Sequence, residues 1–106
     1  MCIRDRGYSL DEMLLSGLVM KNDRGCYDRF RKRLMFPIFD LRSNIIGFGG
    51  RVLDDSMPKY LNSPETLVFN KGSNVFGLNI AKNFIKDSLI LVEGYMDVIS
   101  LHQRCV

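Results

Sequence analysis

The sequence has no apolar run approaching the roughly 18 unbroken residues that a membrane-spanning helix needs, so a helical span is excluded. Its three cysteines, Cys2, Cys26 and Cys105, are odd in number, far apart and without a C-x-x-C pair. Neither a disulfide framework nor a zinc cluster is supported, and reduced thiols are expected. The one histidine, His102, has no partner cluster, which suits a surface or helix-end position better than a metal ligand. A secretory signal is also lacking, because "MCIRDRGYSL" carries charges where such a signal has an apolar run, and the cytoplasm is the expected compartment. There is no internal repeat and no low-complexity segment.

What is present suits one small domain. A chain of 106 residues can bury about 65% of the surface that its unfolded form exposes. Hydrophobic content of 46% and charged content of 25% are ordinary for a soluble globular protein. The net charge of +3 is mild, but Arg24, Arg29, Arg31, Lys32, Arg33, Arg42, Arg51, Lys59 and Lys71 all fall between residues 24 and 71. Cations gathered in this way suit a polyanionic partner; a solvated basic face is the plainer alternative.

Several elements can be placed by pattern. In "YSLDEMLLSGLV", Ser9 and Glu12 have capping-box spacing, Leu10, Met13 and Leu14 form an apolar stripe, and Gly17 suits the residue after a helix. A helix is therefore predicted over residues 10–16. "RLMFPIFD", the polar turn "LRSN" and "IIGFGGRVL" predict an antiparallel hairpin over residues 34–53, in which Pro37 calls for an edge position or a bulge. "KYLN" reads as a short strand, and "SPET" with "KGSN" as ordered loop, because apolar residues recur between the turn signals. Helical spacing recurs from Asn79 to Lys86. "SLILV" is a continuous apolar run suited to a buried parallel strand, and "MDVISLHQ" is helical in phase, so strand, tight turn and helix are expected in that order.

The candidate chemistry sits at the turns. Glu93 and Asp97 leave the expected strand with Gly94 between them, where α/β sheets bind ligands beyond their strand tips. Carboxylate oxygens there suit Mg²⁺, and Glu93 is also placed to accept a proton; equally, both acids could cap the following helix. "GFGGR" has a phosphate-loop composition but sits within a hairpin strand, so it reads better as a closely approached or bulged strand that aims Arg51. "PKYLNSPET" sets a cation, an aromatic and an amide, Lys59, Tyr60 and Asn62, in reach of a phosphate, a base face and a sugar or base edge. The alternative there is a turn in which Asn62 and Ser63 cap the backbone while Tyr60 packs inward. Lys71 in "FNKG" is open to the same two readings.

Taken in order, "RFRKRLMFPIFD", "IIGFGGRVLDDSMPKYLNSPET", "FNKG" and "ILVEGYMDVISLHQ" closely resemble the RNA-polymerase core of bacterial replicative primases of the DnaG type, from about Tyr8 to Gln103. The long "GFGGRVL…PKYLNSPET" string is the most specific part. The resemblance implies a DNA-directed RNA polymerase that makes short RNA primers on single-stranded DNA from ribonucleoside triphosphates. It implies an α+β fold: a basic mixed α/β subdomain with an antiparallel hairpin over residues 8–87, then the first strand–helix unit of a TOPRIM α/β subdomain over 88–106. Glu93 matches the TOPRIM catalytic and metal-binding glutamate, and Asp97 the acidic residue of E-G-Y-M-D. Arg51, Lys59 and Lys71 match basic residues that contact nucleotide phosphates or template, with Tyr60 and Asn62 in the nucleotide-binding motif; Arg29, Arg31 and Arg33 match a further basic stretch. Mg²⁺ or Mn²⁺ is the implied cofactor.

Departures from the family pattern accompany the match. The further TOPRIM aspartate pair, a zinc-bearing amino-terminal domain and a carboxyl-terminal domain for the replicative helicase are all outside these residues. "MCIRDR" and "RCV" match nothing in the family and are expected to be non-native or unstructured, with residues 1–7 set apart. Ser43 stands at a usual turn glycine, which is tolerable if the turn is not left-handed. The chain by itself is expected not to synthesise primers, and its carboxyl-terminal end to be marginally stable. Two other classes are kept: a non-catalytic module for single-stranded nucleic acid, and a different TOPRIM enzyme, against which the "GFGGR" and "PKYLNSPET" strings speak.

Overall fold

The computed structural model describes residues 6–104; Cys2, Cys105 and most of the two terminal stretches set apart above lie outside the described residues. The first helix, α1 (Leu10–Leu15), forms as its capping box dictates. Ser9 Oγ accepts the Glu12 amide at 3.3 Å, while Glu12 Oε2 accepts the Ser9 amide at 2.7 Å. The Ser9 amide first, and then the Ser9 hydroxyl at 2.8 Å, donate to the exposed Glu12 carboxylate and hold that carboxyl below its ordinary range. The helix buries Met13 and ends at Gly17, whose φ of +71° is left-handed. A side chain at Gly17 is barred twice, because a Cβ there would also meet the Pro64 ring at 2.7 Å.

A hairpin that the apolar pattern does not announce follows: β1 (Val19–Asn22) pairs with β2 (Gly25–Asp28). Its turn is local chemistry, with Asn22 Oδ1 accepting the Arg24 amide at 3.0 Å and Gly25 at φ +120°.

The central sheet has the order β3–β4–β5, antiparallel throughout: β3 (Arg33–Phe39), β4 (Ile45–Val52) and β5 (Tyr60–Asn62). Pro37 meets both of its conditions. It lies on the outer strand β3, where alternate N–H groups have no ladder partner, and the register slips one residue on, between Ile38 and Phe39. The turn into β4 is organised by Asp40, whose carboxylate accepts the amides of Arg42 and Asn44, each at 2.8 Å, and the Asn44 side chain at 3.0 Å. The Asn44 contacts lead in holding the Asp40 carboxyl below its ordinary range. Ser43 takes φ +66°, so this turn is left-handed after all. The Asp40 bonds impose the conformation, and Ser43 adopts it at the cost that a Cβ brings there.

Phe36, Ile38, Val52, Phe69, Val19 and Met13 form the buried core, with Ser63 fully buried among them. Ser63 continues the β4–β5 ladder by two bonds to one residue: its amide donates to the Phe48 carbonyl at 2.8 Å, and its hydroxyl accepts the Phe48 amide at 2.9 Å.

After a 3₁₀ turn at Lys71–Ser73, α2 (Leu78–Ala81) is one turn long, shorter than the spacing from Asn79 to Lys86 suggests. The last helix is α3 (Tyr95–Gln103), with His102 exposed in its final turn. The strand expected over "SLILV" is not formed. A parallel strand exists only by pairing, and the described residues offer it no neighbour, so Leu89, Ile90 and Leu91 stay 50%, 60% and 76% exposed. The observed class is accordingly mixed α/β with antiparallel sheets. The radius of gyration of 15.8 Å exceeds the roughly 13 Å of a compact chain of this length, as such exposed segments require.

Replacing Ser63 by alanine leaves the part-buried Phe48 amide without its acceptor. A loss of about 1–3 kcal/mol is expected, read as a lower urea midpoint at an unchanged slope.

Candidate functional site

Directly opposed residues in an antiparallel pair share a face, so the register of the central sheet places the candidate side chains in rows. One row crosses the three strands as Phe36, Gly49 and Asn62; the next crosses as Leu34, Arg51 and Tyr60. Ser63 and Phe48 exchange the ladder bonds, so Gly49 with Asn62 and Arg51 with Tyr60 are the close, non-hydrogen-bonded pairs. Arg51 accordingly reaches over its neighbour, its guanidinium carbon 5.6 Å from the Tyr60 ring centroid. Tyr60 points outward at 43% exposure rather than packing inward.

Tyr95, the first residue of α3, lies across the other row. Its ring stacks on Phe36 with centroids 5.4 Å apart, passes over Gly49 so closely that a Cβ there would lie 2.5 Å from it, and donates its hydroxyl to Asn62 Oδ1 at 2.9 Å. Phe76 closes on the ring edge-on at 4.7 Å. Sequence reasoning did not single out Tyr95 or Phe76. The usable signal was a bare glycine in mid-strand, which calls for a large group lying on it.

Beside this contact is a cleft of about 100 Å³ lined by Ile38, Asn62, Phe69, Lys71, Asn74, Phe76 and Tyr95. Its loop is ordered, as expected: Thr66 Oγ1 accepts the Phe69 amide at 3.0 Å, Glu65 Oε1 accepts the Lys71 amide at 3.0 Å, and Asn70 Oδ1 accepts the Gly72 amide at 2.9 Å. The cleft thus presents a cation and amides over an apolar floor, a combination suited to an anionic ligand with a ring.

Of the basic residues, Arg51 and Lys71 stand with Tyr60 and Asn62 on or beside this face. Lys59 is exposed next to Tyr60, its carbonyl accepting the Val52 amide at 3.1 Å. Arg29 is committed to structure: its Nε and Nη2 both donate to the Asn62 carbonyl, at 2.9 and 2.7 Å. Arg33 reaches the carbonyls of Gly50 and Lys59 at a long 3.5 Å, and Arg31 lies over the Tyr27 ring of the β1–β2 hairpin. "GFGGR" is the middle of β4, not a phosphate loop.

Glu93 and Asp97 are both exposed, two residues either side of Tyr95. Neither caps α3, whose N-cap is Gly94 without a side-chain bond. Asp97 instead folds its carboxylate over Gly94, where a Cβ would meet Oδ2 at 2.9 Å. Among the described residues no group of three or more His, Cys, Asp or Glu is placed to hold a metal ion, and no helix is long and apolar enough to cross a membrane.

Residues 1–82 match the family model for the amino-terminal domain of the DNA primase catalytic core. The DNA primase of Clostridium acetobutylicum is 58% identical over 102 residues, 95% of this chain and 17% of that protein. A crystal structure of a DNA primase domain from Pseudomonas aeruginosa matches with a TM-score of 0.82 at 58% identity, over 89% of this chain and 30% of that one. A DnaG primase catalytic domain bound to single-stranded DNA matches with a TM-score of 0.82 at 48% identity, over 95% of this chain and 34% of that one. The chain belongs to the family of DNA primase catalytic cores, and it spans less than a fifth of the length of curated relatives such as these.

Two outcomes are expected of the Tyr95 contact. Gly49→Ala forces the ring off the sheet, lowering stability by about 1–3 kcal/mol in urea and shifting the Tyr95 ring resonances. Burial pushes the Tyr95 phenol above its ordinary value of 10.0, against a smaller lowering by the bond to Asn62. A raised folded-state value means stability that is whole below pH 10 and lost as pH rises toward the folded-state value. Tyr95→Phe should flatten that alkaline loss in denaturation curves taken across the range.

Proposed function

We propose that this chain is the part of a bacterial DNA primase that holds single-stranded template and ribonucleoside triphosphate for synthesis of short RNA primers. The observation that carries the reading is the placement of Arg51, Tyr60, Asn62 and Lys71 together on and beside one sheet face, in a chain of the primase core family. Relatives named DNA primase and a similar catalytic domain bound to single-stranded DNA support it. Arg51, Lys59 and Lys71 contact phosphates of nucleotide or template, while Tyr60 stacks a base and Asn62 bonds the nucleotide. Arg31 adds charge along the template path; Arg33 serves there through its position beside Lys59, and Arg29 by holding the strand that carries Asn62. On this reading residues 8–87 are the basic subdomain and 88–106 open a TOPRIM subdomain.

Glu93 with Asp97 would hold Mg²⁺ or Mn²⁺. Two exposed carboxylates that cap nothing fit a hard cation that relies on one or two carboxylates plus substrate phosphates. Such an ion, when bound, neutralises charge between a 3′-hydroxyl and an α-phosphate. The chain's own residues bind and orient the triphosphate and the template, and Glu93 is placed to accept a proton. Zinc, the RNA primer strand and the replicative helicase belong to contacts made by the larger protein, in the cytoplasm at the replisome.

One observation favours a second reading. The outward-facing Tyr60 with Arg51 over its ring also suits a non-catalytic module that binds single-stranded nucleic acid through its basic residues and Tyr60. Fluorescence anisotropy with a single-stranded oligonucleotide separates the two. Arg51→Ala, Lys59→Ala and Lys71→Ala should each weaken binding and reduce the salt slope by about 1. ATP binding that Mg²⁺ tightens and Glu93→Gln makes insensitive to Mg²⁺ supports the primase reading; salt-dependent DNA binding with no ATP or Mg²⁺ effect supports the second. Primer synthesis by the chain alone is expected to be undetectable.

A further inference from the structure

We infer that Tyr95 is a positioning residue, whose hydroxyl fixes the side-chain amide of Asn62 so that its N–H groups, and not its oxygen, face a nucleotide phosphate in the Lys71 cleft. This rests on the nucleotide reading of the cleft given above.

An asparagine amide presents a donor on one side and an acceptor on the other, and a half-turn about its last bond exchanges them. Only the donor side can meet a phosphate favourably; the oxygen side repels it. Three contacts remove that choice at Asn62. The Arg29 fork grips its backbone carbonyl at 2.9 and 2.7 Å, which fixes where the side chain starts. The Tyr95 hydroxyl donates to Oδ1 at 2.9 Å, which assigns the oxygen to the protein. Asn62 Nδ2 then has no protein acceptor among the described residues, yet it is not buried, and Asn62 lines the cleft together with Lys71 and Asn74.

The ring of Tyr95 is itself packed between Phe36, Phe76 and the bare backbone of Gly49. Its hydroxyl is therefore a fixed donor, and a fixed donor can orient a neighbour at no further loss of freedom. The same residue opens the helix that carries Asp97 and follows Glu93 by two positions. Orientation of the phosphate donor and placement of the two carboxylates therefore depend on one side chain.

The test uses the chain itself, with ATP as the probe and the side-chain amide signals of asparagine followed by NMR during titration. Tyr95→Phe keeps the ring on the sheet and removes the hydroxyl; ATP affinity should fall about three- to tenfold, the worth of one oriented hydrogen bond, and the Asn62 Nδ2 signals should move in the free protein. Asn62→Asp keeps an acceptor for Tyr95 and removes the donor, so it should lose ATP affinity by more than Tyr95→Phe does. In an Asn62→Ala background, Tyr95→Phe should change ATP affinity no further. Thermal unfolding of each variant shows that the fold is kept. Unchanged ATP affinity in Tyr95→Phe overturns the inference, as does an equal loss in the Asn62→Ala background, which would make Tyr95 a packing residue only. A loss of affinity for single-stranded oligonucleotide but not for ATP overturns the assignment to a nucleotide. Failure of the unsubstituted chain to bind ATP overturns the nucleotide reading of the cleft, and the positioning role with it.

Discussion

Strand β4 must be bare at two positions of one face. Gly47 and Gly49 stand directly opposite Ile38 and Phe36, and the space that two missing side chains leave is taken by Phe69 over Gly47 and Tyr95 over Gly49, each closer than a Cβ would allow without displacement. A small sheet gains two large aromatic groups by this means without adding a layer of its own side chains. Burying such rings stabilises by an amount that no surface pair approaches. The cost is the loose backbone of glycine in mid-strand, offset at Gly49 because both neighbouring strands clamp it.

Polar contacts then turn that packing into a defined site. Ser63 holds the end of β5 to β4 through both its backbone and its hydroxyl, Arg29 holds the carbonyl of Asn62 from the other side, and Tyr95 holds the Asn62 side chain from above. Each bond is individually modest. Together they hold Asn62 at the rim of a cleft whose one charged lining residue is Lys71. Packing thus locates the site, and hydrogen bonding decides which way its polar atoms face.

Elements whose cause is local were legible in the sequence. The capping box of Ser9 and Glu12, the hairpin around Pro37, the short strand at "KYLN" and the ordered loops about Thr66 and Asn70 all follow from spacing and turn chemistry within a few residues. Elements whose cause is distant were not. The "SLILV" run has every property of a buried strand except a partner, and pairing cannot be read from the run itself. The β1–β2 hairpin escaped because its strands lack an alternating apolar pattern and its turn is made by Asn22 and Gly25 alone. Ser43 is the exception among the local features: its left-handed backbone follows from the bonds of Asp40, three residues earlier, and a serine does not announce it. At the site, the basic and aromatic residues were visible by type, but the register that puts Arg51, Tyr60 and Asn62 on one face was not. Tyr95 was hidden because its meaning lies in Gly49, 46 positions away.

The Arg29 fork has a consequence for the molecule in company. Gly49 and Asn62 form a non-hydrogen-bonded pair, so the Asn62 carbonyl points away from β4, toward the open side of the outermost strand. That side is where a foreign strand would dock and extend the ladder. A guanidinium seated on the carbonyl fills the docking point with a charge that no incoming backbone can replace on equal terms. Arg29 therefore acts as a stopper on the sheet, keeping β5 the last strand in its row and the neighbouring cleft free of intruding chain.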